Sequence, residues 1–424
     1  MKSRFNNFAA IEQYLSQYWP TAKTAYSLSR MTRLTDYLGN PQNKLRIIHI
    51  AGTSGKTSTA YYCASLLGLT GQKVGLTVSP HISCVNERVQ INLEPLPEKK
   101  FCREFSIFTD LVKEIDILPT YFELMMAFAF WFYDKERVDY AVVEVGLGGL
   151  LDATNVIDRA DKVCVITDIG LDHVTILGKT LPKITAQKAG IIQQHNDVFC
   201  HQLEPAVMAV IQKVCLKNQA QLHIAGSPVT DKGLAFLPLF QQRNFNLAKN
   251  AINYILNRDN LPAINQSQLI QAAQIKIPGR MELLRYRQKT VILDGAHNYQ
   301  KLYELARSIK HQFPGQRIAV LIAFSGGRDY RYKNNVKEIV NLADTIIISS
   351  MQQNISSVHP AQDPQNIAKL CQAAGAQKVI VTKNLKQAIE QLVGSDENLL
   401  LITGSFYILS DSRLLLNKIS AKHS

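Results

Sequence analysis

The stretch HIAGTSGKTSTA, residues 49–60, decides the predicted fold because the end of a strand, a glycine-bracketed loop and the start of a helix follow one another within it. An apolar run of strand length, LRIIHI, leads into the loop, and the residues after Lys56 keep helical periodicity up to Gly71. The next apolar run, VGLTVS at 74–79, is expected to be a second strand. Such a strand, helix, strand unit places both strands parallel in one sheet.

Further apolar runs extend this pattern into a two-domain α/β protein. Buried strands are expected at 139–146 and 162–170, each ending in polar residues, and ligands of open parallel sheets bind beyond such carboxyl ends. From residue 290 onward the runs TVILD, IAVLIAF, TIIISS, KVIVT and NLLLITGS alternate with helical segments. We therefore predict a P-loop-containing parallel sheet domain over 1–283, followed by a smaller Rossmann-like doubly wound α/β domain over 284–424.

Composition narrows the class of protein. At 424 residues, 46% of them hydrophobic, the chain is long enough for two or three domains. It has no apolar run of membrane-spanning length and no secretory signal pattern, so we expect a cytoplasmic protein that does not associate with membranes. The seven cysteines lack C-x-x-C pairs, which indicates buried thiols in a reducing compartment.

The formal charge of +13 is dispersed along the chain, without an arginine-rich stretch or a recognisable nucleic-acid-binding module. An anionic small substrate accounts for the sign of this charge as well as a nucleic acid does. We expect small-molecule substrates and no nucleic-acid partner, and we expect the chain to act as a monomer.

Residues 52–58 form a candidate phosphate-binding loop that is shorter than a full Walker A motif, because Ile50 stands where that motif has its first glycine. The glycines allow backbone N–H groups to turn toward an anion, the lysine adds a point charge, and the following helix presents its positive end. A structural turn is the alternative interpretation. The position between a strand and a helix favours phosphate, with the expected contacts Gly52, Thr53, Ser54, Gly55, Lys56, Thr57 and Ser58.

Beyond the loop, an ordered series of motifs spans nearly the whole chain. The series comprises SPH (79–81), NER (86–88), EVGLGGLLDATN (144–155), IGLDH (169–173), QKAGII (187–192), PGR (278–280), LDGAHN (293–298) and ITGSFY (402–407). It resembles the folylpolyglutamate synthase and dihydrofolate synthase family of the Mur ligase superfamily. Such enzymes phosphorylate a carboxylate with ATP, and an amino group then attacks the acyl phosphate to give an amide.

The resemblance implies a magnesium site in the first domain. Glu144, at the end of a buried strand, matches the family's Mg²⁺ ligand, and Ser79 offers a hydroxyl to the same ion. His173 matches a ligand of a second Mg²⁺, and Lys188 matches a lysine that is carbamylated in the family. Without the resemblance, these residues would be interpreted as a strand-end carboxylate, a turn serine, a structural histidine and a solvated lysine.

The resemblance also implies the nucleotide contacts of the later motifs. Asn250 matches an asparagine near the adenine, although Phe245 and Asn246 replace the usual His-Gln before it. Arg280 forks onto a phosphoryl group in a way that lysine cannot copy. Asp294 is expected at the ribose or at the incoming amino group.

Substrate and catalytic roles follow from the same resemblance. His297 is expected at the acyl phosphate, although DGAHN by itself is also typical of a turn. The implied substrate contacts are Asp152, Asp294, His297, Ser405 and Tyr407, and the implied catalytic residues are Lys56, Lys188, Arg280 and His297.

The resemblance predicts an ATP-dependent amide ligase that joins L-glutamate to dihydropteroate, to a folate, or to both, with ATP and two Mg²⁺ ions. Leu150 departs from the family pattern, which has arginine there, so recognition of the acceptor is left open. The alternatives are a Mur-type ligase acting on a cell-wall precursor or another acidic metabolite, and a nucleotide-binding regulator without catalysis. The sequence also leaves open whether one glutamate or many are added.

Overall fold

The computed structural model of the chain describes residues 4–19, 26–226, 232–324, 330–350 and 362–421. The chain divides into two compact units, the first comprising Met1–Ala235 and Gln241–Ile275, the second Phe236–Phe240 and Lys276–Ser424. Residues 276–283, which the sequence analysis assigned to the first domain, cluster with the second unit. The reason is that the strand Glu282–Tyr286 pairs with the strand Lys289–Leu293.

An eight-stranded sheet organises the first unit. Its strands are β1 (Arg46–Ala51), β2 (Val74–Thr77), β3 (Gln90–Ile91), β4 (Glu94–Pro95), β5 (Tyr140–Glu144), β6 (Val163–Ile166), β7 (Asp197–His201) and β8 (Gln221–Ala225). Their spatial order is β4-β3-β2-β5-β1-β6-β7-β8. The pairing is parallel from β2 to β8, whereas β3 and β4 add an antiparallel edge. Strands β5 and β6 are buried along their whole length, as expected for parallel strands covered on both faces.

Helices cover both faces of this sheet. They are α1 (Phe8–Ser16), α2 (Ser29–Tyr37), α3 (Lys56–Gly68), α4 (Glu98–Val112), α5 (Tyr121–Lys135), α6 (Val174–Leu177), α7 (Leu181–Ala189), α8 (Pro205–Lys217), α9 (Leu239–Arg258) and α10 (Gln266–Ala273), with short 3₁₀ turns at Pro41–Asn43, Val85–Arg88, Ala153–Val156 and Lys232–Leu234. Helix α3 is buried from Thr57 to Leu67, which is possible because its sequence carries no charge after Lys56.

The main core of the first unit is aromatic. Phe101, Phe105 and Phe108 of α4 pack with Phe128 of α5, with ring centroids 5.1–5.4 Å apart for the contacts to Phe128. All four side chains are fully buried. Burial of one such side chain contributes about 1.5–3 kcal/mol to the free energy of unfolding. These aromatic contacts therefore hold α4 and α5 together in the core of the first unit.

A six-stranded sheet organises the second unit. Its strands are β9 (Glu282–Tyr286), β10 (Lys289–Leu293), β11 (Ile318–Ile322), β12 (Thr345–Ile348), β13 (Val379–Val381) and β14 (Leu399–Thr403), in the order β13-β12-β11-β14-β10-β9. Only β9 is antiparallel to its neighbour. The helices are α11 (Tyr299–Gln312), α12 (Tyr330–Val340), α13 (Pro364–Ala373), α14 (Leu385–Val393) and α15 (Tyr407–Ala421).

Two expectations from composition can be compared with this fold. In the described part of the chain, none of the helices combines the length and apolarity needed to cross a bilayer. All seven cysteines are free thiols, and only Cys84 is not fully buried. The burial of six of the seven agrees with the expectation of buried thiols.

His49 is a neutral histidine in the middle of the first sheet. It lies on β1, fully buried, with Nε2 2.8 Å from the Thr154 hydroxyl. That hydroxyl donates to Asp152 over 2.6 Å, so it accepts from His49 Nε2–H. Burial, and secondarily the charge of Lys162, hold the pKa of His49 well below its usual value.

This histidine predicts acid sensitivity of the fold. Unfolded His49 takes up a proton below about pH 6.5, while folded His49 stays neutral. The contribution of His49 to the free energy of unfolding is therefore fully present above that pH and decreases as the pH falls. Denaturant titrations at about pH 7.5 and 5.5 should show a loss of unfolding free energy that is smaller in His49→Asn than in the wild type by about 1 kcal/mol. The exposed His311 provides the control, His311→Asn, which should keep the wild-type pH dependence. Equal pH dependence in His49→Asn and the wild type would contradict the assignment.

Candidate active site

The loop between β1 and α3 needs glycine at Gly55. This residue caps α3 with a φ of 88°, in the left-handed region. A Cβ atom there would lie 2.4 Å from Asn244 Oδ1, because α9 packs against the loop. The backbone conformation and the close approach of α9 both explain the second glycine of the predicted phosphate loop.

The first part of the loop is bound to the segment that follows β6. The backbone N–H groups of Thr53 and Ser54 donate to the Asp168 carbonyl over 2.8 and 3.3 Å. The Asp168 carboxylate in turn accepts from the Arg243 guanidinium of α9 over 2.6 Å. These two predicted anion-binding amides therefore hold the loop in place, and the sequence analysis did not identify Asp168 as their partner.

Two hydroxyl groups of the phosphate loop have unsatisfied hydrogen-bonding capacity. The Ser54 and Ser58 hydroxyl oxygens are buried and have no hydrogen-bond partner in the described part of the protein. A buried polar group left in this state costs about 1–3 kcal/mol, so it calls for an explanation. A phosphoryl oxygen could reach either hydroxyl only if the surrounding groups moved, because both oxygens are out of contact with solvent.

The Glu144 carboxylate contacts both the phosphate loop and the segment that carries Ser79. Its side chain is 2% exposed, at the end of β5, and Ile50 of β1 is its register partner. The Thr57 hydroxyl donates to Oε1 over 3.0 Å, and the Ser79 backbone N–H donates to Oε2 over 3.1 Å. The Glu144 carboxylate and the Thr57 hydroxyl are hard oxygen donors of the kind that Mg²⁺ prefers, together with water and phosphate oxygens.

The donor set does not resemble a closed protein cage for a metal. Among the described residues no group of three or more His, Cys, Asp and Glu side chains could hold an ion. This fits Mg²⁺, which keeps several waters and is bound by one or two carboxylates plus substrate phosphates. The predicted roles of Ser79 and Glu144 as Mg²⁺ ligands stay predictions.

Lys188 is buried rather than solvated. It lies in the last turn of α7, 4% exposed, and its Nζ donates to the Gly52 carbonyl over 2.8 Å. The end of α7 also contacts the glycine-rich segment after β5, since Asn155 Nδ2 donates to the carbonyls of Leu150 and Gly190. The predicted phosphate loop and the predicted carbamylated lysine thus lie in direct contact.

His173 is the most exposed of the predicted metal ligands. It caps the short helix α6 with a φ of 46°, and its side chain is 53% exposed. Its Nε2 lies 3.9 Å from the Asp172 carboxylate. Asp172 is a neighbouring anionic group that the sequence analysis did not name.

Asp152 uses its carboxylate inside its own loop. Oδ2 accepts the Leu147 N–H over 2.8 Å, and Oδ1 accepts the backbone N–H and the hydroxyl of Thr154 over 3.0 and 2.6 Å. Burial raises the pKa of this carboxyl, and these hydrogen bonds oppose the shift. Asp152 therefore shapes the loop beside Leu150, whose side chain is 42% exposed.

Asn250 does not have the contact that α9 makes with the phosphate loop. Its Nδ2 donates to the Asn246 carbonyl one turn earlier on the same helix, over 2.8 Å. Asn244 is the asparagine of α9 that packs against Gly55. The predicted contact of Asn250 with the adenine stays a prediction, and Asn244 is a neighbour of the loop that the sequence did not indicate.

The second unit brings Arg280, Asp294 and His297 together around Phe406. The Arg280 guanidinium carbon lies 4.3 Å from the Phe406 ring centroid, and the His297 ring centroid lies 5.8 Å from it. The buried Asp294 carboxylate accepts the N–H groups of Met281 and Ala296 over 2.7 and 2.8 Å. Burial raises the pKa of Asp294, and the Arg280 charge opposes this shift most strongly.

Phe406 was missed although it lies inside the motif ITGSFY. The sequence analysis selected its neighbours Ser405 and Tyr407. Ser405 is buried, its Oγ accepts the Tyr407 N–H over 3.2 Å, and Tyr407, the first residue of α15, is 37% exposed. An aromatic residue between two polar ones at a strand end was the available signal.

Comparisons with known proteins identify the family of the chain. The Mur ligase middle domain matches residues 50–224, and the Mur ligase glutamate ligase domain matches residues 279–406. A dihydrofolate synthase/folylpolyglutamate synthase of Bacillus subtilis is 32% identical over 418 residues, covering 91% of this chain and 94% of the relative. The chain belongs to the folylpolyglutamate synthase and dihydrofolate synthase family.

Other members of the family support the same assignment. A dihydrofolate synthetase of Saccharomyces cerevisiae is 31% identical over 413 residues, covering 91% of this chain and 96% of the relative. The structure of the Mycobacterium tuberculosis folylpolyglutamate synthase complexed with ADP matches with a TM-score of 0.84 at 27% identity, covering 96% of this chain and 98% of that chain. The predicted family, the α/β architecture and the class of ATP-dependent ligase are confirmed.

The phosphate loop of this family member yields a prediction about backbone strain. Gly55→Ala should lower the unfolding free energy by more than the roughly 1 kcal/mol expected from left-handed backbone alone, because Asn244 must also move. Gly71→Ala is the matched control, since Gly71 has a φ of 82° but open space where a Cβ would stand. Denaturant titrations of both variants measure the difference. Equal losses would show that the contact with α9 is unimportant.

Proposed function

We propose that the chain is an ATP-dependent ligase that joins L-glutamate to the carboxylate of dihydropteroate or a folate through an acyl phosphate. The observation that carries the proposal is the meeting of Thr57, Ser79 and Glu144 beside a glycine-bracketed loop, in a chain of this family. The high-coverage relatives are named for folate-type acceptors, which favours such an acceptor over a cell-wall precursor.

In this proposal the first unit binds and orients ATP. The Lys56 ammonium and the N-terminus of α3 hold the phosphate groups, and the hydroxyls of Ser54 and Ser58 bind phosphoryl oxygens. Thr57, Ser79 and Glu144 hold Mg²⁺, which supplies neutralisation of the charge that develops on the transferred phosphoryl group. Asn244 and Asn250 are the candidates of α9 for contacts to the rest of the nucleotide.

A second Mg²⁺ and a carbamylated lysine are further parts of the proposal. The Lys188 ammonium first loses a proton; addition of the neutral amine to CO₂ then forms an N–C bond and releases a second proton, which leaves an anionic carbamate with two oxygens. The burial of Lys188 against Gly52, next to the phosphate loop, supports this role. His173 would then be the second protein ligand.

The second unit serves the acyl phosphate and the amino acid. Arg280 binds a phosphoryl or carboxylate oxygen pair with its planar fork, which stacks on Phe406. Asp294 and Ser405 fold the loops that carry His297 and Tyr407. We propose further that the enzyme acts in the cytoplasm as a monomer on small molecules, without a nucleic-acid or membrane partner.

Dependence of ADP release on both partners tests the ligase proposal. Purified protein should release ADP only when ATP, a dihydropteroate or folate carboxylate and L-glutamate are all present, because the amine captures the acyl phosphate. A catalytically silent regulator would hydrolyse ATP slowly, without regard to acid and amine. Glu144→Gln should reduce the rate by about 100-fold or more because it removes the carboxylate beside the phosphate loop. Thermal unfolding checks that this variant keeps its fold, and full activity in it would remove Glu144 from the metal site.

Chemical rescue tests the carbamate. Lys188→Ala should lose activity and regain part of it when formate or acetate is supplied, since a small carboxylate can occupy the place of the carbamate oxygens. Lys183→Ala, an exposed lysine on the same helix, is the matched control and should keep wild-type activity without added carboxylate. Wild-type activity of Lys188→Ala in plain buffer would refute the carbamate.

A further inference from the structure

A lysine outside the sequence-predicted set contacts His297. Lys301 lies in the first turn of α11, where its backbone N–H bonds to the side chain of the cap residue Asn298 over 3.0 Å. His297 stands one helical turn before it in sequence. This spacing brings Lys301 Nζ to 3.2 Å from His297 Nε2.

Hydrogen bonding fixes the protonation of this imidazole. His297 Nδ1 lies 2.8 Å from the Gly295 carbonyl, which can only accept, so Nδ1 carries the hydrogen. A protonated lysine can only donate, so Nε2 offers its lone pair to Lys301. His297 is therefore the neutral Nδ1–H tautomer. In this state its Nε2 cannot donate a hydrogen bond to a phosphoryl or carboxylate oxygen.

Lys301 adds a second positive charge near Asp294, in addition to that of Arg280. Both cations act on the buried Asp294, and both lower the pKa of that carboxyl against the effect of burial. The carboxylate of Asp294 is bonded to backbone N–H groups, whereas the Arg280 guanidinium faces the Phe406 ring. Two cations beside one buried carboxylate leave a net positive charge, which suits an anionic substrate.

We propose that Lys301 binds an anionic oxygen of a substrate and that His297 is the positioning residue that holds the Lys301 ammonium. The oxygen belongs either to a carboxylate of the incoming amino acid or to a phosphoryl group. This inference rests on the proposed ligase function. It assigns to Lys301 the direct contact that the family resemblance assigns to His297, because the neutral imidazole accepts where an anion needs a donor.

Steady-state kinetics of matched lysine variants test the contact. Lys301→Met keeps the length of the side chain and removes its charge, so the KM for one substrate should rise about tenfold or more. A rise in the KM for L-glutamate identifies a carboxylate, and a rise in the KM for ATP identifies a phosphoryl group. Lys301→Arg should restore most of the loss. Lys310→Met, an exposed lysine at the other end of α11, should leave both constants unchanged.

The contradicting results are equally specific. Unchanged KM and kcat in Lys301→Met, or equal losses in Lys301→Met and Lys310→Met, would overturn the inference while the wild-type enzyme still demonstrates ligase activity. A wild-type protein that never releases ADP with acid and amine would instead refute the ligase proposal.

Nitrogen-15 NMR of the imidazole rings separates the pairing from turnover. The His297 signals, assigned by their loss in His297→Gln, should show a protonated Nδ1 and an unprotonated Nε2 in the wild type near neutral pH. Titration with L-glutamate and, separately, with ATP should shift the Nε2 signal in the wild type but not in Lys301→Met. An imidazolium in the free wild-type protein would overturn the proposed pairing, and no shift with either ligand would overturn the proposed contact of Lys301 with a substrate, whatever the activity.

Discussion

The buried carboxylate of Glu144 is the constraint on which the rest of the first unit depends. Its two oxygens accept hydrogen bonds from Thr57, at the start of α3, and from Ser79, after β2. An ionised carboxylate removed from water without such partners would cost several kcal/mol, so these segments must meet for the group to be buried. The sheet order, in which β5 lies between β2 and β1, allows that meeting. The sheet order therefore brings the hydrogen-bond donors to Glu144, and these donors allow its carboxylate to be buried.

The same logic explains why the phosphate loop is held by protein groups on both sides. The Asp168 carbonyl accepts the first two N–H groups after Gly52, Asn244 packs against Gly55, and the Lys188 ammonium donates to the Gly52 carbonyl. A loop that is fixed before a ligand arrives loses little conformational entropy on binding. Arg243 links two of these contacts, because it neighbours Asn244 on α9 and its guanidinium binds the Asp168 side chain.

Much of this architecture could be predicted from the sequence, and the reasons are physical. Parallel strands buried on both faces appear in the sequence as apolar runs, so β1, β2, β5 and β6 and the main strands of the second sheet were predicted. The strand-end position of Glu144 was predicted with them, whereas its role came from the family resemblance and stays a prediction. Contacts between distant segments could not be predicted. The packing of Asn244 against Gly55 and the contact of Arg280 with Phe406 were not predicted, because tertiary packing selects one face of a helix or one side of a turn. The burial of Lys188 was likewise invisible in a sequence that matches an ordinary helix end.

The two units use one device to build their loops. Asp152 and Asp294 each accept, on Oδ1, the N–H of the residue two positions later, and on Oδ2 an N–H from another position in the chain. Burial raises the pKa of both carboxyls, and in both the backbone N–H groups oppose the shift by favouring the ionised form. Backbone groups donate to both oxygens of each carboxylate, so each aspartate folds its loop, and the predicted substrate contacts of Asp152 and Asp294 stay predictions. In the second unit that turn directs His297 toward Lys301, so the turn interpretation of DGAHN is compatible with its functional interpretation, in which the same turn positions the side chains.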